Sequence, residues 1–169
     1  MNTQICTNKE QSSRLLEAGV RPETADMVLL YVDDESNIAP WEDIRKDEKG
    51  KFFYNVYGET YTLTETILLR DSQYYDRSYQ DDCPAWSLSK LIDMMPKSYQ
   101  DDIDGMVYYL SGNFVELMYA SDWIEDGEGD NTYNCAKSFD KENLMDNVVD
   151  AIEWLIREGH LNKKFLTDK

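Results

Sequence analysis

One histidine in 169 residues, His160, and three scattered cysteines leave little of the usual chemistry for metal binding or nucleophilic attack. A single histidine excludes the common zinc sites built on histidine pairs. Cys6, Cys83 and Cys135 form no C-x-x-C pair, and an odd number so far apart is no disulfide framework. Isolated cysteines of this kind are more often small buried hydrophobes than reactive groups. No apolar run approaches the ~18 residues of a membrane span, so no membrane insertion is expected. The N-terminus, Met-Asn-Thr-Gln-Ile-Cys-Thr-Asn-Lys, lacks an apolar signal segment, which predicts a soluble cytoplasmic protein. Basic residues are missing from one long interval: none lies between Lys97 and Lys137. No P-loop, G-x-G-x-x-G or G-x-S-x-G sequence occurs.

What the chain does have is acid. Thirty-four Asp and Glu against seventeen Lys and Arg give a formal net charge of −17. The interval without bases holds Asp101, Asp102, Asp104, Glu116, Asp122, Glu125, Asp126, Glu128 and Asp130. Nucleic acid and anionic membranes both need basic patches, so direct binding to either is disfavoured. Solubility is the plainer role of such a charge. At 41% hydrophobic and 12% aromatic residues the chain can bury a real core. Its length predicts one domain over residues 1–169.

The central stretch Cys83 to Pro96 carries the strongest local signals. Ser87 is placed to cap a helix, with Trp86 before it and Leu91 positioned as the two halves of a hydrophobic staple. Leu88, Leu91, Ile92 and Met95 form one buried stripe, and Pro96 stops the helix.

Elsewhere, Thr7 and Glu10 fit a capping box for a helix ended by Gly19, and Pro22 suits the start of a second short helix. That helix is read on through about Leu30, although the run Met27–Val32 has no decisive period. Residues 33–50 read as a connection with one helical turn near Trp41 to Ile44. Phe52 to Tyr57 and Tyr61 to Leu69 read as a hairpin turning at Gly58-Glu59. Its second strand alternates Tyr61, Leu63, Ile67 and Leu69 against Thr62, Thr64 and Thr66. Residues 71–82 read as a loop, Met106 to Leu110 with Phe114 to Tyr119 as a second hairpin, and 122–134 as an acidic loop. The last helix is capped by Asp140, stapled by Phe139 to Leu144, and ended by Gly159. Leu144, Val148, Ile152 and Leu155 centre its apolar face, Glu153 and Arg157 form an i, i+4 pair opposite, and Trp154 lies off the stripe. The architecture predicted is α+β: a small, mainly antiparallel sheet of two hairpins packed by N-terminal, central and C-terminal helices. Ser-Tyr-Gln-Asp-Asp occurs at 78–82 and 98–102, and the differing flanks make both copies polar turns rather than a repeat.

Candidate chemistry thins out on inspection. The loop Asp122 to Asp130 suggests calcium, but an EF-hand reading with Gly127 at its glycine position puts Ile124 and Tyr133 where acidic ligands belong. His160 has no nucleophile in a recognisable context, and its place beyond a helix end favours a charged, partly exposed ring. Asp33/Asp34 and Asp101/Asp102 are adjacent carboxylates of the sort an acidic composition produces by itself. No cofactor or metal is implied. The tyrosines stand out more: Tyr74, Tyr75, Tyr79 and Tyr99 flank the central helix in polar segments, and tyrosine suits recognition surfaces.

Three stretches together resemble a known pattern. Glu-Thr-Ala-Asp-Met at 23–27, Pro-Ala-Trp-Ser-Leu-Ser-Lys-Leu-Ile-Asp-Met-Met-Pro at 84–96 and Val-Val-Asp-Ala-Ile-Glu-Trp-Leu-Ile-Arg-Glu-Gly-His-Leu at 148–161 look like a family of small uncharacterised proteins from gut Bacteroidetes and their phages or mobile elements. The matching residues are core and capping residues, so the resemblance implies a fold and a setting and carries no site residues. Segments 51–82 and 122–138 fall outside it.

The function expected first is an accessory or interaction protein of a mobile element, not an enzyme, meeting an unidentified protein partner. Its partner surface is placed at Tyr74, Tyr75, Tyr79, Tyr99, Asp122, Glu125, Asp126, Glu128 and Asp130. An acidic nucleic-acid mimic, which needs carboxylates spaced like duplex phosphates, is the alternative. An enzyme without a familiar motif is the third reading.

Overall fold

A computed structural model describes residues 4–35, 37–69, 83–96, 106–120 and 133–167. The fold is α+β, with three α-helices and two antiparallel sheets among the described residues. In chain order the elements are α1 (Lys9–Ala18), β1 (Met27–Val32), β2 (Arg45–Lys46), β3 (Phe52–Val56), β4 (Glu59–Leu69), β5 (Cys83–Ala85), α2 (Leu88–Met94), β6 (Met106–Ser111), β7 (Phe114–Ala120), β8 (Tyr133–Phe139) and α3 (Leu144–Glu158). One sheet has the order β2-β3-β4-β1-β5 and the other β6-β7-β8. Among the described residues no helix is long and apolar enough to cross a membrane.

Both predicted hairpins form. In the first, Val56 pairs with Glu59 around a Tyr57-Gly58 turn, one residue earlier than the sequence suggests. Tyr57 has φ 50° and Gly58 φ 86°, the positive pair of a type I′ turn, which matches the twist of the flanking strands. The second hairpin turns at Gly112-Asn113, and β8 adds a third strand along β7. Tyr133 and Asn134 thus begin a strand instead of ending the acidic loop.

Met27–Val32 is a strand and not the helix expected of it. It pairs with β4 on one side and β5 on the other. Val28, Leu29, Leu30 and Tyr31 are all buried. A strand covered on both faces loses alternation and becomes a continuous apolar run, which is why periodicity misled. The turn before it, Pro22–Thr24, is a single 3₁₀ turn. The short strand β5 was also unforeseen. Pro84 fits there because β5 is an edge strand, where a missing N–H costs no ladder bond.

Helix ends shift by small, explicable amounts. The capping box of α1 is built by Asn8 and Gln11, one residue later than Thr7 and Glu10. Thr7 is buried, and its hydroxyl accepts from Trp86 N at 3.0 Å and lies 2.8 Å from Ser12 Oγ. Asn143 caps α3 in place of Asp140, because β8 runs on to Phe139 and buried Asn147 holds the backbone of Lys141 from both sides. The Glu153–Arg157 pair gives way to Arg14 of α1, whose guanidinium reaches Glu153 and Asp150. Ser87 caps α2 as predicted, and Gly19 and Gly159 take left-handed backbone at the other two helix ends.

Two cores result. The larger joins the three helices to the β6–β8 sheet through Leu15, Trp86, Leu91, Met106, Leu117, Val148, Ile152 and Leu155. The smaller lies on one face of the five-stranded sheet and holds Cys6, Leu29, Tyr31, Ala39, Ile44, Leu63, Cys83 and Ala85. The segment 83–96 belongs to both: Cys83 and Ala85 to the smaller, Trp86 onward to the larger. The N-terminal segment locks it in place, with Cys6 bridged to Ser87 and Thr7 N donating to Trp86 O at 2.9 Å.

A candidate cleft at the edge of the smaller core

The residues the sequence singles out as a partner surface, Tyr74, Tyr75, Tyr79, Tyr99, Asp122, Glu125, Asp126, Glu128 and Asp130, lie outside the described residues. So do Asp101/Asp102 and the calcium-like loop. The remaining candidates separate. His160 is half-buried at the C-terminal end of α3, stacked on Trp154 with centroids 5.8 Å apart. Its Nε2 lies 3.0 Å from the Tyr119 hydroxyl. Asp33 is spent on a turn, accepting from Glu35 N at 2.9 Å and Asn37 N at 2.8 Å.

None of the thiols is poised as a nucleophile. Burial, then the charges of Glu65 and Asp26, push Cys6 up to about 11. Burial dominates at Cys83 too, raising it to about 12. Cys135 is exposed on β8, and hydrogen bonding to Glu116 raises it as well. Thiolate is the reactive form, so raised values keep these sulfurs mainly as thiols at neutral pH. Both buried cysteines sit in the smaller core, whereas His160 packs with the larger one through Trp154 and Tyr119. No acid–base–nucleophile set assembles among the described residues. They also contain no group of His, Cys, Asp and Glu fit to hold a metal ion.

What does assemble is a cleft of about 280 Å³ between the segment Gln4 to Asn8 and the outer half of β4. Its strand wall comes from the β4 residues Glu65 and Ile67, and its other wall from Ile5, Cys6 and Thr7. Tyr31 pairs with Glu65 across β1 and β4, and Leu29 with Ile67, so these side chains share the face that carries the smaller core. Along that face burial runs out: Leu63 is 6% exposed and Ile67 42%. Ile5 opposite is 57% exposed.

Glu65 is half-buried between them. Desolvation raises its carboxyl above the ordinary glutamate value, and Lys46 only partly offsets this. Lys46 itself sits over the Phe52 ring, 5.5 Å from the centroid. No hydrogen bond or ion pair reaches the Glu65 carboxylate from the described residues. The Tyr31 hydroxyl beside it is fully buried and likewise has no partner among them. The rim is different, because Gln4 and Asn8 are both engaged. Gln4 Nε2 donates to Cys6 O at 2.8 Å and Asn8 Oδ1 accepts from Gln11 N at 2.9 Å.

Sequence reading missed this cleft, although a signal for it exists. In the alternation of β4, Glu65 occupies the phase of Leu63 and Ile67, so a carboxylate stands where an apolar residue belongs. Ile5 carried no signal, since its position depends on the N-terminal segment folding back on the sheet.

In comparisons with known proteins, no family model, no curated protein and no solved structure matches this chain.

Proposed function

We propose that this chain is a bacterial accessory protein, cytoplasmic and of a phage or mobile element, that acts by protein–protein contact and performs no chemistry of its own. The observation that carries the contact reading is the pair Ile5 and Ile67, 57% and 42% exposed at the mouth of one open cleft. Single exposed apolar residues are ordinary, but two facing each other across a concave site favour a docked partner. The cleft, at about 280 Å³, falls just under the roughly 300–1,000 Å³ of small-molecule sites, which favours a side chain over a metabolite. Net charge −17 makes a basic partner the electrostatic complement. The phage or mobile-element setting rests on the sequence resemblance alone. The tyrosine- and acid-rich positions Tyr74, Tyr75, Tyr79, Tyr99 and 122–130 belong to the same proposal on sequence grounds.

The test is affinity capture from a host lysate with wild-type protein, the Ile5→Asp/Ile67→Asp variant and the Tyr74→Ala/Tyr75→Ala/Tyr79→Ala variant. A basic protein enriched by wild type, released by salt and lost with either variant is expected. Identical recoveries from all three would remove the contact reading.

A further inference from the structure

The unspent bonding capacity of the cleft defines what would fill it. Part of its polar rim is committed within the chain: Gln4 Nε2 donates to Cys6 O and Asn8 Oδ1 accepts from Gln11 N. The free charged capacity is that of Glu65, which when ionised is acceptor-only. Ile5 and Ile67 supply apolar walls on either side of it. A carboxylate or phosphate ligand would be repelled. A sugar or other neutral hydroxyl-rich ligand would leave the charge of the Glu65 carboxylate unmatched. The complement is a donor-only cation on an aliphatic stem, which is the chemistry of a lysine or arginine side chain.

We propose that the cleft between Gln4–Asn8 and β4 receives one lysine or arginine side chain from the partner protein, its stem lying between Ile5 and Ile67 and its cationic head on Glu65. This rests on the protein-contact reading above and adds the residue that is read. Charge complementarity fixes the occupant: the chain carries −17 overall, and Lys46, the described cation acting on Glu65, is engaged with Phe52 and makes no ion pair with it. Arginine has the advantage of a planar fork matching both carboxylate oxygens.

The experiment uses the intact purified protein and three capped amino acids: Nα-acetyl-arginine methylamide, its lysine counterpart, and the norleucine analogue as the uncharged stem. NMR follows the Ile5 and Ile67 methyl groups and the Glu65 carboxyl carbon during titration. Saturable shifts at all three positions with arginine and lysine are expected, with norleucine weaker by about tenfold or more, the size of one charged hydrogen bond. Glu65→Gln should abolish the charged preference while leaving the spectrum of the fold intact.

Equal binding of norleucine and arginine would overturn the proposal in favour of plain apolar docking. An absence of saturable shifts would overturn it as well. So would a Glu65 carboxyl already paired with a cation of the chain's own in the free protein. The two readings fail separately. A captured partner indifferent to Glu65→Gln sinks this site and spares protein contact. Saturable probe binding without any captured partner does the reverse.

Discussion

The two cores treat their buried polar groups in opposite ways. In the larger, Asn147 is completely buried, and its side chain accepts from Lys141 N and donates to the carbonyls of Lys141 and Asn113. That one residue ties the start of α3 to the β6–β7 turn. In the smaller core the Tyr31 hydroxyl and the Glu65 carboxylate have no such partners among the described residues, and exposed Ile5 and Ile67 stand beside the latter. A buried polar group left unbonded costs roughly 1–3 kcal/mol, so a region that keeps such groups has given up stability. The difference separates a core whose buried polar group is fully bonded from one whose rim leaves a carboxylate unmatched, as the proposed contact requires.

The largest effect that would sharpen this contrast lies at Trp86. It is fully buried in the larger core, and its indole N–H donates to Thr24 Oγ1 at 2.9 Å. Trp86→Ala should cost about 3–5 kcal/mol in urea unfolding. A loss below about 1 kcal/mol would mean that the larger core does not carry the fold.

Next comes a pair of substitutions with different expected outcomes. Asn147→Ala orphans the Lys141 and Asn113 backbone groups and should destabilise by about 1–3 kcal/mol. Tyr31→Phe removes a hydroxyl with nothing to lose, so unfolding free energy should stay level or rise by up to about 1 kcal/mol. Comparable losses for both would erase the distinction between the cores.

A smaller gain is expected at the tip of the first hairpin. Tyr57 is fully exposed in left-handed backbone, where a side chain other than Gly or Asn is disfavoured. Tyr57→Asn should raise the thermal midpoint, with a stabilisation of up to about 1 kcal/mol. A lower midpoint would show that the ring supports the hairpin.

How far these features could be read in advance depended on how local their causes are. Ser87, Gly19, Gly159 and the apolar stripe of α3 act within a few residues of themselves, and they fall where the sequence puts them. The strand β1 was misread because its identity comes from strands more than thirty residues away in sequence, which pair along both of its edges and make it an interior strand of the sheet. The cap of α3 moved because buried Asn147 reorganised the turn ahead of it. The cleft needed both kinds of information. Glu65 shows in the alternation of β4, but its unmet bonding capacity and the approach of Ile5 are tertiary facts.

The most direct test of the claim that the smaller core holds an unmatched carboxylate is the unfolding free energy of Glu65→Gln against wild type across pH. Folding raises the Glu65 pKa, chiefly through desolvation. The native state therefore binds more protons than the unfolded state above the ordinary glutamate range, and stability from this group falls as pH rises. Of the groups acting on or facing it, burial keeps Tyr31, Cys6 and Cys83 neutral, and Lys46 supplies positive charge. Glu65→Gln should therefore be the more stable protein at pH 7, with the gap closing as pH falls through and below the glutamate range. A variant less stable than wild type at pH 7 would contradict the claim, because it would mean the carboxylate is already bonded within the chain.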